Sequence, residues 1–343
     1  MGQSDKRYAV IELGTRGIRL LVADASPSGV SRVYSTGGLS ELGSSRDAQG
    51  NISRAAIERS RAQVEEYCRI AREKSANNNI VVFATEAVRS APNQEEFAKE
   101  LNSIAKFLVL DPQTEALCSL MASVDAFRGD LHPGDTILVL DQGGGSTEIA
   151  CGTIDRAGEL RPLGMQSLRL GTVDLAKQLV ESDSLIAGFR RVEESIHREL
   201  KKHEPFPVLR AYAPTLVCGL GSAIAEVAKI RAGSKDYHGQ SISKEELGQC
   251  INNFRTQYRG SSAQDSDLSD NTITMIAGVQ TYYQILEEYH ASQIRASDHG
   301  LRYGVLLLAA RHLNPKHSAS SSQKSAQKPA PGVKQNESKE TLK

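Results

Sequence analysis

The sequence predicts an α/β protein of two similar domains, each a mixed sheet flanked by helices, with a cleft between them. Three observations carry this expectation. The chain has 343 residues, and single cores stop growing near roughly 250. Strand-like apolar runs alternate with stretches of helical periodicity. A pattern also occurs twice: a strand ending in an acid, a glycine-bearing turn and a returning strand. It appears first as Glu12-Leu13-Gly14-Thr15-Arg16-Gly17 and again as Asp141-Gln142-Gly143-Gly144-Gly145-Ser146-Thr147. The expected division is residues 1–128, residues 129–313 and a tail over 314–343, with the last helix free to pack back on the first domain.

Tyr8 to Leu13 and Ile18 to Asp24 predict a hairpin around the turn Gly14 to Gly17, and Val30 to Thr36 extends it to a meander. Ser53 is an N-cap candidate for a helix to about Lys74, because Ile57, Val64, Tyr67, Cys68 and Ala71 recur at helical spacing. Ile80 to Thr85 predicts a buried strand, Pro92 to Ala105 a helix, Phe107 to Leu110 a strand and Thr114 to Phe127 a helix. The pattern then restarts with strands over Thr136 to Asp141, Ser146 to Gly152 and Glu159 to Leu170. Helices follow, with further strands at Thr215 to Leu220 and Gln293 to Ser297. From Asn314 onward large apolar residues almost vanish, so that segment is expected to be disordered.

Lys plus Arg and Asp plus Glu each number 41, which argues against a general nucleic-acid binder and leaves any polyanion to be met by local charge. Five cysteines, widely spaced and never in a C-x-x-C pair, indicate neither a disulfide framework nor a zinc site. No leader pattern and no apolar run of roughly 18 residues stands out, so a cytoplasmic protein without membrane association is expected.

Three consecutive glycines between two strands are costly, because glycine loses the most backbone freedom and packs nothing. Bare backbone there lets N–H groups converge on phosphate oxygens, with the Ser146 and Thr147 hydroxyls as further donors. Asp141 and Glu148 flank that seat and would repel a phosphate unless a hard cation such as Mg²⁺ joined them. Arg89, expected in the first turn of a helix after the Ile80 strand, is placed to reach an oxyanion. Arg16 sits at a loop tip expected to face the cleft.

Beyond spacing, the chain resembles the exopolyphosphatase / guanosine pentaphosphate phosphatase family. Asp141 to Glu148 follows its D-x-G-G-G-S-T-E, and Ala84 to Asn93 its A-T-x-A-x-R-x-A-x-N. Ser297 to Gly304 keeps S-D-x-G-L-R-x-G, and Ser167-Leu168-Arg169-Leu170-Gly171 is close to S-L-P-L-G. The resemblance implies an actin-like, ribonuclease H-like fold and a hydrolase releasing terminal orthophosphate from inorganic polyphosphate or guanosine pentaphosphate. It implies Mg²⁺ or Mn²⁺ held from Asp141, Glu148 and Glu12, and Glu115, in the Glu115-Ala116 pair, as catalytic base. Phosphate is expected at Gly14, Thr15, Arg16, Arg89 and Gly143 to Thr147, with Arg19, Gly221, Ser222 and Arg302 as further ligand contacts. A homodimer is possible, as family members often dimerise.

Departures from the family pattern lie in the first loop and in a later glycine turn. D-x-G-S-N-S-x-R-L becomes Glu12-Leu13-Gly14-Thr15-Arg16-Gly17-Ile18-Arg19-Leu20, and the later G-x-G-G-T turn is here Gly219-Leu220-Gly221-Ser222. A catalytically weak sensor of guanosine polyphosphates or polyphosphate is therefore an alternative, and an actin-fold small-molecule kinase a more distant one.

Overall fold

The computed structural model describes residues 6–26, 29–76, 79–203, 214–258 and 269–312. The tail expected over 314–343 lies outside the described residues. Strands β1 (Lys6–Leu13), β2 (Gly17–Ser26), β3 (Gly29–Leu39), β4 (Ile80–Ala84) and β5 (Lys106–Val109) form one sheet in the order β3-β2-β1-β4-β5. A second sheet contains β6 (Thr136–Gln142), β7 (Thr147–Ile154), β8 (Leu160–Leu168), β9 (Leu216–Gly221), β10 (Ser241–Ser243) and β11 (Gln293–Ala296). Its order is β10-β11-β9-β6-β7-β8.

The two sheets repeat one plan. In the first, β1 pairs antiparallel with β2 and parallel with β4; in the second, β6 pairs antiparallel with β7 and parallel with β9. The hairpin turns close in the same way, Gly14 N–H donating to Gly17 O and Gly143 N–H to Ser146 O, each at 2.8 Å. Both turns therefore emerge at the C-terminal ends of central parallel strands, where open α/β sheets bind ligands. The short β10, three residues that pair antiparallel with β11, lacked a long enough apolar run to be anticipated.

Helix α1 (Arg54–Glu73) starts at Ser53, whose hydroxyl accepts from Ala56 N–H at 3.3 Å, and buries Ile57, Val64, Tyr67, Cys68 and Ala71 on the first sheet. Two helices on this side differ from expectation. Arg89 lies in the single turn of the four-residue helix α2 (Glu86–Arg89), as expected, but that helix goes no further, and α3 covers only Gln94–Asn102. Helix α4 (Pro112–Ala126) begins two residues earlier than the spacing predicted, because Asp111 caps it, accepting from the N–H groups of Gln113 and Thr114, with Pro112 at the first helical position.

Helix α4 packs between the two sheets. Cys118 and Ala122 face the first sheet, while Ala116, Leu120 and Val124 face the second. It is buried nearly all round, so its polar residues Glu115, Ser119 and Ser123 require partners. The second sheet is covered by α5 (Thr172–Val180), α6 (Leu185–His203), α7 (Ser222–Ala232), α8 (Lys244–Gln257) and α9 (Asp270–Glu288). The last helix, α10 (Leu301–His312), sends Leu301, Tyr303, Val305, Leu306 and Ala310 into the core formed by Tyr8, Val10, Leu21 and Phe83 of the first sheet.

Candidate active site

A cleft of about 730 Å³ runs between the two hairpin turns. Its lining includes Glu12, Gly14, Thr15, Arg16, Arg19, Glu115, Asp141, Gly143, Gly144, Gly145, Ser146, Glu148, Gly221, Ser222 and Arg302, so most of the residues singled out from the sequence converge there.

Asp141 on β6 and Glu148 on β7 stand directly opposite each other in the antiparallel register. At the equivalent place in the first sheet Glu12 faces Arg19. Like charges across a strand pair are unfavourable, and here both are held by hydroxyls. Ser119 Oγ donates to Asp141 Oδ2 at 2.5 Å, and Ser146 Oγ and Ser167 Oγ donate to Glu148 Oε1 at 2.8 and 2.7 Å. Glu115 of α4, 3 % exposed, is ion-paired with Arg89.

Burial pushes the Asp141 carboxyl up to about 6, helped by Glu12 and opposed by Ser119. Glu148 rises to about 7, through burial and the Asp141 charge, against the Ser167 and Ser146 hydroxyls. Glu115 is driven up to about 9 by burial and the Glu148 charge, with Arg89 pulling the other way. Three carboxyls in one low-dielectric cleft cannot all ionise without a proton or a cation among them.

That excess of oxygen donors suits a hard divalent cation. Among the described residues no three His, Cys, Asp or Glu side chains form a set able to hold a metal by themselves. Mg²⁺ fits this arrangement, since it commonly takes one or two carboxylates and completes its octahedron with water and phosphate. Asp141 and Glu148 are the residues that would hold it. Glu12 is less free, its carboxylate lying 3.4 Å from Arg302.

The glycine turn presents bare backbone to the cleft, with the Glu86 carboxylate close to Gly145. Thr172 and Val173, in the first turn of α5, donate their N–H groups to Gly143 O at 3.1 Å and Gly144 O at 3.0 Å, fixing the turn from behind. The Gly144 and Gly145 N–H groups meet no acceptor among the described residues, which leaves them for a ligand. Gly171 makes the approach possible: a Cβ there would lie 2.3 Å from Gly144 O. Thr15 of the opposite turn reaches the same place, its side chain against Gly144 and Gly145.

Four expected phosphate or ligand contacts are redirected. Arg89 points at Glu115 and donates to Leu110 O at 2.6 Å, because α2 ends beside the start of α4. Thr147 is fully buried and donates its hydroxyl to Leu170 O at 2.7 Å, strand alternation having turned it away from Ser146. Arg302 is held by Glu12, Leu20 O and Ser35 Oγ beneath the first sheet. Arg16 donates to Asn271 Oδ1 across the cleft at 2.8 Å.

Ser119 and Ser167 escaped sequence reading as acid-holding residues. Signals existed for both: Ser119 lies one helical turn after Glu115, and Ser167 opens the S-L-R-L-G stretch and pairs across from Glu148. Glu86, Lys229 and Lys235 also line the cleft.

A duplicated strand-turn-strand unit on two sheets, with a bare-glycine turn and buried acids between them, defines an actin-like two-domain protein that handles phosphate. The chain belongs to the Ppx/GppA phosphatase family, whose model matches residues 21–312. It is 28 % identical over 248 residues to exopolyphosphatase 2 of Mycobacterium tuberculosis, covering 69 % of this chain and 74 % of that one. It is also 28 % identical over 170 residues to a bifunctional 3-dehydroquinate synthase/phosphatase of Fusobacterium nucleatum, a match over 47 % of this chain that spans only 25 % of that longer protein. The crystal structure of the Aquifex aeolicus Ppx/GppA family member superposes with a TM-score of 0.72 at 24 % identity, over 90 % of this chain and 99 % of that one, and supports the fold. Among the described residues no helix is long and apolar enough to cross a membrane.

Proposed function

We propose that this phosphatase releases terminal orthophosphate from inorganic polyphosphate, with guanosine pentaphosphate as the second candidate substrate. The observation that carries the reading is the meeting of the Gly144 and Gly145 N–H groups, which have no acceptor among the described residues, with the buried carboxyls of Glu115 and Glu148 and the half-buried Asp141 in one cleft. The turn amides bind oxygens of the terminal phosphate, and the Ser146 side chain orients Glu148 beside it. Asp141 and Glu148 would hold Mg²⁺, which would supply charge neutralisation on the phosphate oxygens.

Glu115 orients a water in line with the anhydride bond. Glu115 would be left ionised beside Arg89 by a cation offsetting the Glu148 and Asp141 charges. As the water oxygen bonds to phosphorus, its proton passes to the Glu115 carboxylate, and the P–O bond to the remaining chain breaks with its electrons on the departing oxygen. Arg89 holds the Glu115 carboxylate in place. Positioning and electrostatics provide the acceleration, since this chemistry demands little covalent participation. Orthophosphate release from long polyphosphate, short polyphosphate and guanosine pentaphosphate, each with Mg²⁺ and with chelator, tests the reading. No release from any of them under Mg²⁺ would remove it.

A sensor of phosphoanhydrides is the second reading. It is favoured by the first loop, where Glu12 is paired with Arg302 and Arg16 with Asn271, which leaves that turn with less to offer a substrate. Tight binding of guanosine polyphosphate or polyphosphate without turnover would establish it.

A further inference from the structure

We propose that the Arg16–Asn271 pair is a clasp that closes the mouth of the cleft over a linear phosphoanhydride chain and keeps the chain bound from one cleavage to the next. The inference rests on the hydrolase reading above and adds to it how the substrate is retained.

Arg16 belongs to the hairpin turn of the first domain and Asn271 to the first turn of α9 in the second, so their 2.8 Å hydrogen bond spans the gap between domains. Each side chain stands on fixed backbone. Thr15 O accepts from Gly43 N–H at 2.9 Å and Arg16 O from Ser40 N–H at 3.0 Å, while Ser269 caps α9, accepting from Thr272 N–H at 3.2 Å. What can open is the pair of side-chain ends.

The pair also divides the mouth. On one side lies a hollow of about 550 Å³ lined by Leu39, Glu41, Lys177 and Val180, and on the other a hollow of about 740 Å³ lined by Arg19, Gly37, Ser222 and Met275. Arg16 borders both hollows and the central cleft. Toward the first hollow the way is narrowed by the Thr15 side chain against Gly144. Toward the second it is continuous, because Arg16, Gly17, Arg19, Ser222 and Glu226 line both that hollow and the cleft.

A chain of phosphates carries no side groups, so it can lie under the bridge with its end at the glycine turn and its remainder leaving past the exposed Arg19. With the bridge formed, the chain cannot leave sideways but can slide lengthwise as each terminal phosphate is removed. One exposed hydrogen bond shifts such an opening equilibrium by roughly three- to tenfold, which is enough to set how many cleavages precede release yet weak enough to admit a new chain.

The test uses Asn271, which leaves the Arg16 charge in place. On long polyphosphate chased with excess unlabelled chain, the wild type should convert full-length chains without a ladder of intermediates. Asn271→Ala should produce a ladder, with cleavages per encounter reduced roughly three- to tenfold and initial rates on tripolyphosphate within about twofold of wild type. Asn271→Asp, which makes the contact an ion pair, should move retention the opposite way. Without substrate, solvent exchange of the Arg16 guanidinium protons, read by NMR, should quicken in Asn271→Ala and slow in Asn271→Asp. A ladder from the wild type, or two variants that match it or shift in the same direction, overturns the clasp. If the wild type releases no orthophosphate from any chain, the hydrolase reading fails instead, and unchanged exchange in both variants then removes the clasp as well.

Discussion

Replacing Glu148 by Gln should make the cation-free protein more stable while abolishing its phosphatase activity. Glu148 is 5 % exposed and its carboxyl titrates near 7 in the fold, against an ordinary 4.5. The folded state thus prefers the protonated form, and its stabilising effect, complete below about 4.5, is lost as the pH rises through about 7. Ionising the group in place costs about 3 kcal/mol above that pH. Gln keeps the shape without the charge, but it accepts more weakly from Ser146 and Ser167 and leaves its amide donors short of partners, which takes back about 1–2 kcal/mol. A net gain of about 1–2 kcal/mol is expected at pH 8, a rise in thermal midpoint of roughly 2–8 °C, shrinking toward zero or reversing at pH 4.5. The assay is thermal unfolding of both proteins in chelator across pH 4.5–8, beside orthophosphate release with Mg²⁺. A midpoint difference that does not change with pH would refute the reading that Glu148 is ionised at a cost in the cation-free protein.

Three further outcomes follow from the same geometry. Glu115→Gln should lower orthophosphate release roughly 10²- to 10⁴-fold with substrate affinity nearly unchanged, and turnover within about threefold of wild type would take Glu115 out of the mechanism. Ser119→Ala removes the hydroxyl that holds the Asp141 carboxyl down, so Asp141 should keep its proton to higher pH and the acidic limb of the pH–rate profile should move upward; an unmoved limb would separate Asp141 from activity. Gly171→Ala sets a Cβ within 2.3 Å of the Gly144 carbonyl, and since backbone must shift by about 1 Å, kcat/KM should fall on the order of 10²-fold while the circular dichroism spectrum of the fold persists. Near-normal kcat/KM in a folded Gly171→Ala protein would mean that the glycine turn does not seat the reacting phosphate.

The duplicated acid–glycine-turn pattern was legible because it is local. A strand, a turn and a returning strand need only adjacent residues, and their repetition in Glu12 to Gly17 and Asp141 to Thr147 announced two matching sheets. The extents of β8 and α4 were read within a few residues for the same reason, their periodicity lying in the chain itself. The partners of each charge were not legible in that way. Thr147 sits beside Ser146 in sequence, yet the strand's two-residue alternation sends one hydroxyl to Leu170 O and the other to Glu148.

The sequence by itself determined the fold class, the glycine turn and the set of acids, because these depend on residue type, spacing and burial preference along a short stretch. Only the tertiary structure decided what each charged group faces. Arg89 meets Glu115 because a four-residue helix ends beside α4, Glu12 meets Arg302 because the last helix packs under the first sheet, and Arg16 meets Asn271 because the two domains close on each other. Such pairings join residues 26 to 290 positions apart, and Coulomb interactions depend on distance in space and local dielectric, neither of which is written in the order of residues.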